Sequence, residues 1–294
     1  MTRILLFLAT NFAVIMLISL VFSLLGLDGI LATNGNLDLG ALLVMSAVIG
    51  FGGSFISLAM SKWSAKRAMN VHVIENPSNN TERWLLDTVA KQAQQAGIQM
   101  PEVGIFPSNS VNAFATGMNR NAALVAVSSG LLNQMTQDEA EAVLGHEVSH
   151  VANGDMVTMG LMQGVVNTFV VFLSRIVGFF VDRVILKNDR GLGIDYFISS
   201  MVAQVFLSIF ASMIVMWFSR YREFRADEGG AALAGKHKMI AALKRLQNQQ
   251  EVEMPGELAA FGISPAAKNT FSKLLLSHPP LEQRIAALEN SQEA

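Results

Sequence analysis

Charge is missing from long stretches of this 294-residue chain, and that absence restricts what it can fold into. Ile4 to Leu27 is a run of 24 residues without a charged side chain. A helix needs roughly 20 apolar residues to cross a bilayer, whereas the apolar part of a signal peptide is only about 7–15. The run therefore reads as a span and not as a cleaved leader. Leu39 to Ser61 is a second uncharged run, with Gly50, Gly52 and Gly53 inside it. Small residues of this kind let helices approach closely in lipid. Met156 to Ser174 is a third, interrupted by Arg175 and continuing to Val181; Gln163 and Asn167 make it less apolar. Tyr196 to Ser219 is a fourth, again 24 residues long.

Composition agrees. Apolar residues make up 51% and charged residues 15%, with mean hydropathy +0.40. A soluble domain usually carries about 25% charge. Residues 1–61 hold only Arg3, Asp28 and Asp38, and residues 158–219 hold seven charges; the other 34 sit in 62–157 and 220–294, where soluble structure is expected. A net charge of −2 gives no electrostatic footprint for nucleic acid. The chain has no cysteine, which excludes disulfides, thiol catalysis and thiolate metal ligands. Any metal must be held by His, Asp or Glu.

Flanking charges set an orientation. Arg3 precedes the first run, Lys62, Lys66 and Arg67 follow the second, and the 28–38 link contains no Lys or Arg. Positive flanks stay in the cytoplasm, which puts the N terminus and residue 62 onward inside. Arg220, Arg222 and Arg225 follow the fourth run, again inside. The 182–195 loop carries Arg183, Lys187 and Arg190 beside three acidic residues. Two full crossings and a re-entrant hairpin both accommodate this segment.

Residues 62–155 read as an α/β region. Thr81 to Gln95 has helical character and ends near Gly97. Glu102 to Phe106 and Ala123 to Ser128 suit strands, and 112–117 is a loop or edge strand between them. Thr136-Gln137-Asp138-Glu139 is a capping box that opens a helix running to about Asn153. Residues 220–294 are helical at Met239 to Gln250 and Leu281 to Glu289.

That capped helix carries His146-Glu147-Val148-Ser149-His150, which fits H-E-x-x-H. Histidines at i and i+4 share one face and can share a metal, while Leu144, Val148 and Val151 fall opposite. Glu147 sits between the ligands. Two surface histidines on a helix are the plain alternative, but only five histidines exist in the chain and two fall here. A catalytic zinc site takes three protein ligands and keeps one position open. No third histidine follows at metzincin spacing; Asn153-Gly154-Asp155 stands there instead. The best candidate is Glu223, with Asp227 one turn further on the same helix face. Glu223 can ligate, and Asp227 can orient a histidine by accepting its free N–H.

These residues resemble the M48 peptidase family of membrane zinc metalloproteases, which includes the CAAX prenyl proteases of the Ste24 type. The resemblance covers nearly the whole chain. It rests on the two N-terminal spans, Asn112 to Gly117, Glu139 to Val143, the H-E-x-x-H helix running on to Val157, Arg222-Glu223-Phe224 with Ala226-Asp227, and His278-Pro279-Pro280 with Arg284. It implies a mainly α membrane protein with a small α+β zincin-like (gluzincin) catalytic domain and about four transmembrane helices. The parts would be 1–61 (two spans), 62–155 (H-E-x-x-H part), 156–219 (transmembrane or re-entrant hairpin) and 220–294 (part with the third ligand).

By the same resemblance one Zn2+ is held by His146, His150 and Glu223, Glu147 is catalytic and Asp227 supports the ligands. His278 and Arg284 would line the cleft and stabilise the oxyanion. Asn112, Ala113 and Phe114 would bind substrate beside an edge strand. The implied activity is zinc endopeptidase action on misfolded or damaged membrane and cytoplasmic proteins. It would serve quality control and the stress response at the bacterial inner membrane, from the cytoplasmic side, with polypeptides and the bilayer as partners and no nucleic acid. A specific processing protease of the prenyl-protein branch would need a larger intramembrane chamber with more spans. An ion transporter would place ionisable residues in its spans, yet the first two runs have none and the third only Arg175. A non-catalytic metal-binding scaffold would have no need of Glu147. His72 and His237 match no motif and read as surface residues.

Overall fold

The computed structural model describes residues 32–33, 36–188, 192–252 and 278–291. In chain order the elements are β1 (Ala32–Thr33), β2 (Asn36–Leu37), α1 (Leu39–Ala68), β3 (His72–Val73), α2 (Asn80–Gln95), β4 (Glu102–Phe106), β5 (Ala113–Gly117) and β6 (Ala123–Ser128). They continue as α3 (Ser129–Gln134), α4 (Gln137–Ala152), α5 (Asp155–Phe180, prolonged by a π-helical turn Val181–Ile185), α6 (Ile194–Ala234), α7 (Lys236–Val252) and α8 (Leu281–Asn290). Two compact units emerge. One is Met1–Ser57 with Met159–Trp217, the other Leu58–Thr158 with Phe218–Ala294.

The first unit is built from parts of α1, α5 and α6. Among the described residues three helices are long and apolar enough to cross a membrane: Leu39–Ala68, Asp155–Ile185 and Ile194–Ala234. At about 1.5 Å rise per residue each exceeds the roughly 30 Å of a hydrocarbon core. The first expected span, Ile4 to Leu27, lies outside the described residues, so three of the four expected runs are seen as helices. Asp38 starts α1 by accepting the Ala41 N–H at 3.0 Å.

Packing in this unit is inverted relative to a soluble protein. Leu161, Phe169, Phe206, Phe210 and Ile214 point outward, whereas Ser46, Gln163, Asn167, Ser174, Arg175 and Gln204 are buried. Apolar surface facing outward costs nothing in lipid, where polar groups have to turn inward. Leu42, Met45 and Ile49 of α1 pack on Val171 of α5, and Val166 and Val170 pack on Ala211 and Val215 of α6. Small residues permit the α1–α5 contact: Ser54 Oγ donates to the Gly160 carbonyl at 2.6 Å, and Gly50 lies against Thr168 and Gly164.

The second unit holds a four-stranded sheet in the order β3-β4-β6-β5, parallel between β4 and β6 and antiparallel elsewhere. β6 is central and buried on both faces, as its near-continuous apolar sequence requires. Val125 and Val127 point to one face, where Leu85 and Val89 of α2 and Leu144, Val148 and Val151 of α4 complete the core. Leu124 and Ala126 point to the other, against Phe106 and Phe114. Within the 112–117 segment Ala113–Gly117 forms an edge strand, β5, which packs beside α4. A third cluster joins Ala142 of α4 to Met239, Ala242 and Leu243 of α7 and Ile285 and Leu288 of α8. The sheet core and the α7–α8 cluster thus hold α4 from two sides.

The α1–α5 contact is testable. A Cβ at Gly50 would lie 2.6 Å from the Thr168 amide nitrogen and 2.8 Å from the Gly164 oxygen, while a Cβ at Gly52 meets nothing within 4 Å. Gly50→Ala is expected to cost about 1–3 kcal/mol through overpacking. Gly52→Ala should be neutral or slightly stabilising, and thermal unfolding in detergent separates the two.

Candidate metal centre

The centre is built on α4. Its N terminus is fixed by the capping box: Thr136 Oγ1 accepts the Glu139 N–H at 3.3 Å, and Glu139 Oε2 accepts the Thr136 N–H at 2.8 Å. Leu144, Val148 and Val151 face the sheet, which turns His146 and His150 toward α6. Two glycines allow α6 to come close. A Cβ on Gly230 would lie 2.9 Å from the His146 amide nitrogen, and one on Gly229 would be 2.9 Å from Ser149 Cβ. One to two turns earlier on α6, Asp227 and Glu223 reach the imidazoles.

Candidate ligand atoms of His146, His150 and Glu223 all lie within 4.8 Å of one another. The two Nε2 atoms are 3.1 Å apart, and Glu223 oxygens stand 3.3 Å from His150 Nε2 and 3.7 Å from His146 Nε2. Each Nδ1 faces a carboxylate instead: His146 Nδ1 is 2.9 Å from Asp227 Oδ1, and His150 Nδ1 is 2.6 Å from Asp155 Oδ2. An imidazole that gives its Nδ1 proton to a carboxylate keeps its Nε2 lone pair for a metal. Glu223 is 2% exposed and Asp227 1%, so neither is the solvated charged face that a surface helix would present.

Arg284 closes the far side. Its Nε and Nη2 donate to Asp227 at 2.7 and 2.6 Å, and its Nη1 stands 3.4 Å from Glu223 Oε2. Burial alone would lower the Arg284 pKa, but the pair with Asp227 outweighs it and holds the guanidinium above its usual range. His278, with a largely exposed side chain, places Nδ1 2.5 Å from Glu223 Oε2. Glu147 is half-buried beside His146, and its charge acts on both His150 and Arg284. Asn112, Ala113 and Phe114 lie at the start of the edge strand, where the Asn112 carbonyl accepts the Ser128 N–H at 2.8 Å. His72 and His237 are exposed, as expected of surface residues.

Asp155 and Arg222 lie next to the motif residues, but sequence pattern alone gives them no role. The available signal was an acidic residue five positions after His150, just past the helix end. Without coordinates it reads equally well as the first-turn acid of α5.

The donor set fits a divalent cation. Four carboxylates (Glu147, Asp155, Glu223, Asp227) stand against two guanidinium groups (Arg222, Arg284), leaving two negative charges when the histidines are neutral. That excess is also felt by His150. Burial acts to lower its pKa, but hydrogen bonds to Asp155 and Glu223 and the Glu147 charge raise it to about 10.

An H-E-x-x-H helix joined by a glutamate from a second helix, in a chain with long apolar helices, defines a membrane metalloprotease. The chain belongs to Peptidase family M48, whose sequence pattern matches residues 79–292. It is 68% identical over 291 residues to Protease HtpX of Pseudoalteromonas atlantica, covering 98% of this chain and 99% of that one. Protease HtpX of Thioalkalivibrio sulfidiphilus is 61% identical over 294 residues, covering 99% of this chain and 100% of that one. Among solved structures the fold is similar to that of Ste24p of S. mikatae, at TM-score 0.63 and 19% identity. That match covers 84% of this chain and spans 58% of Ste24p.

A metal-ligating histidine must be neutral, so with His150 as a ligand metal uptake would have to displace its proton. With the His150 pKa at about 10, the affinity of chelator-stripped protein for Zn2+ is expected to rise roughly tenfold per pH unit over roughly pH 6–9. Titration calorimetry in buffers of different ionisation enthalpy checks the matching proton release.

Proposed function

We propose that this chain is a zinc endopeptidase of the bacterial inner membrane, with its active site on the cytoplasmic side and broad specificity for misfolded membrane and cytoplasmic proteins. The observation that carries the reading is the convergence of His146, His150 and Glu223 beside Glu147. Two imidazoles and a carboxylate suit zinc among the common divalent ions. When bound, zinc would supply Lewis acidity toward a peptide carbonyl and toward water.

The chain's own residues do the rest. Glu147 takes a proton from water as general base and passes it to the leaving amine. Asp227, held by Arg284, fixes His146. Exposed His278 is the group best placed to meet the substrate oxyanion, while Arg284 acts mainly through Asp227. An extended substrate adds to the edge of β5 near Asn112, Ala113 and Phe114, a mode that reads backbone more than side chains and so supports broad specificity.

The cytoplasmic placement is supported by Lys62, Lys66 and Arg67 after one apolar run and Arg220, Arg222 and Arg225 after another. Two continuous helices, Asp155–Ile185 and Ile194–Ala234, favour two full crossings between His150 and Glu223, which returns both to one side.

The decisive experiment is casein cleavage by full-length protein in detergent, stripped with chelator and then resupplied with Zn2+. Cleavage should return with zinc. Glu147→Gln should bind zinc normally and lose about 10²–10⁴ in rate. Glu223→Ala should fail to retain the metal. Equal cleavage by wild type and Glu147→Gln, or unchanged zinc content in Glu223→Ala, would defeat the reading.

A further inference from the structure

We infer that Asp155 and Arg222 form a positioning pair for His150, so that the centre carries two carboxylate–imidazole clamps, each backed by an arginine. The inference rests on the metal-binding reading above and extends it to residues with no assigned part. The first clamp is Arg284–Asp227–His146. The second repeats its logic from a different part of the chain. Asp155 Oδ2 is 2.6 Å from His150 Nδ1, and the same oxygen is 3.7 Å from Arg222 Nη1. Arg222 Nη1 also donates to the Asp155 carbonyl at 3.3 Å, and Nη2 donates to Ser219 Oγ at 3.3 Å. The arginine therefore grips both the side chain and the backbone of Asp155.

A helix-capping role alone does not account for this arrangement. An acidic residue in the first turn of α5 is favoured by the helix dipole wherever its carboxylate points. Here the side chain is turned inward, with Asp155 5% exposed, and meets an imidazole. The pairing selects the tautomer with the proton on Nδ1, which aims the Nε2 lone pair at the space shared with His146 and Glu223. Arg222 precedes Glu223 on α6. One turn of that helix thus supplies both the third candidate ligand and the grip on the carboxylate that orients His150.

The pair is tested on full-length protein in detergent by two readouts apart from activity. These are Zn2+ affinity, measured in competition with a chromophoric chelator, and the visible spectrum after Co2+ substitution. Asp155→Ala should weaken Zn2+ binding about 10–100-fold and shift the Co2+ bands, because the His150 ring is released. Asp155→Asn keeps an acceptor oxygen and nearly the same volume, so it should fall between wild type and alanine; it also decides the matter if the alanine variant does not fold. Arg222→Ala should weaken binding less, and should add little in the Asp155→Ala background. Wild-type Zn2+ affinity within twofold and an unchanged Co2+ spectrum in both Asp155 variants would overturn the pair alone. Failure of the wild type to take up Zn2+ would overturn the metal-binding reading and the pair with it.

Discussion

The centre depends on how closely α6 can lie against the helix that carries both histidines. Helix axes usually stand 8–10 Å apart, set by the side chains at the contact. Gly229 and Gly230 remove those side chains where α6 passes Ser149 and the His146 backbone. Only with that approach can the short carboxylate side chains at 223 and 227 reach the imidazoles. Capping, core packing and sheet order all serve to present the correct face of α4 to this contact. Their combined effect is a set of donor atoms fixed from outside the metal position, as a centre must have if it is to bind an ion without reorganising.

Burying so many charges together is costly unless each has a partner. The three most deeply buried carboxylates near the two imidazoles have one: Asp227 has Arg284 and His146, Asp155 has His150 and Arg222, and Glu223 has His150 and His278. The excess of negative charge is what a divalent cation relieves. The membrane unit meets the opposite demand. Its exposed surface is apolar, and its amides, hydroxyls and Arg175 turn inward. One chain therefore follows two burial rules, and each can be read from which residues face out.

Much of this was legible in the sequence because it is local. The capping box, the i, i+4 histidines, the strands at Glu102–Phe106 and Ala123–Ser128 and the helices after residue 235 rest on short-range periodicity and turn chemistry. Glu223 and Asp227 stand out as candidates because cysteine is absent and their spacing puts both carboxylates on one helix face, and the structure brings both beside the imidazoles. Long-range partners were out of reach. The grip of Arg222 on Asp155 joins residues 67 positions apart, and that of Arg284 on Asp227 joins residues 57 apart. Periodicity states which face a residue occupies, and it says nothing of what faces it. The same limit hid the meaning of Gly229 and Gly230, since a glycine pair inside a helix reads as a propensity defect until a second backbone is seen against it. The two-residue strands β1, β2 and β3 carry too few residues for any alternation to show.

A continuous α6 has one more consequence. Phe218 to Ala234 is one uninterrupted stretch of that helix within the second unit, so Arg222, Glu223, Asp227, Gly229 and Gly230 share one helical phase. One residue inserted between Glu223 and Gly230 would turn the acidic side chain about 100° away from the glycines that meet α4. The close approach and the carboxylates that use it are therefore locked to one another by residue spacing, and a change in that spacing would have to come in steps of about three or four residues to restore the face.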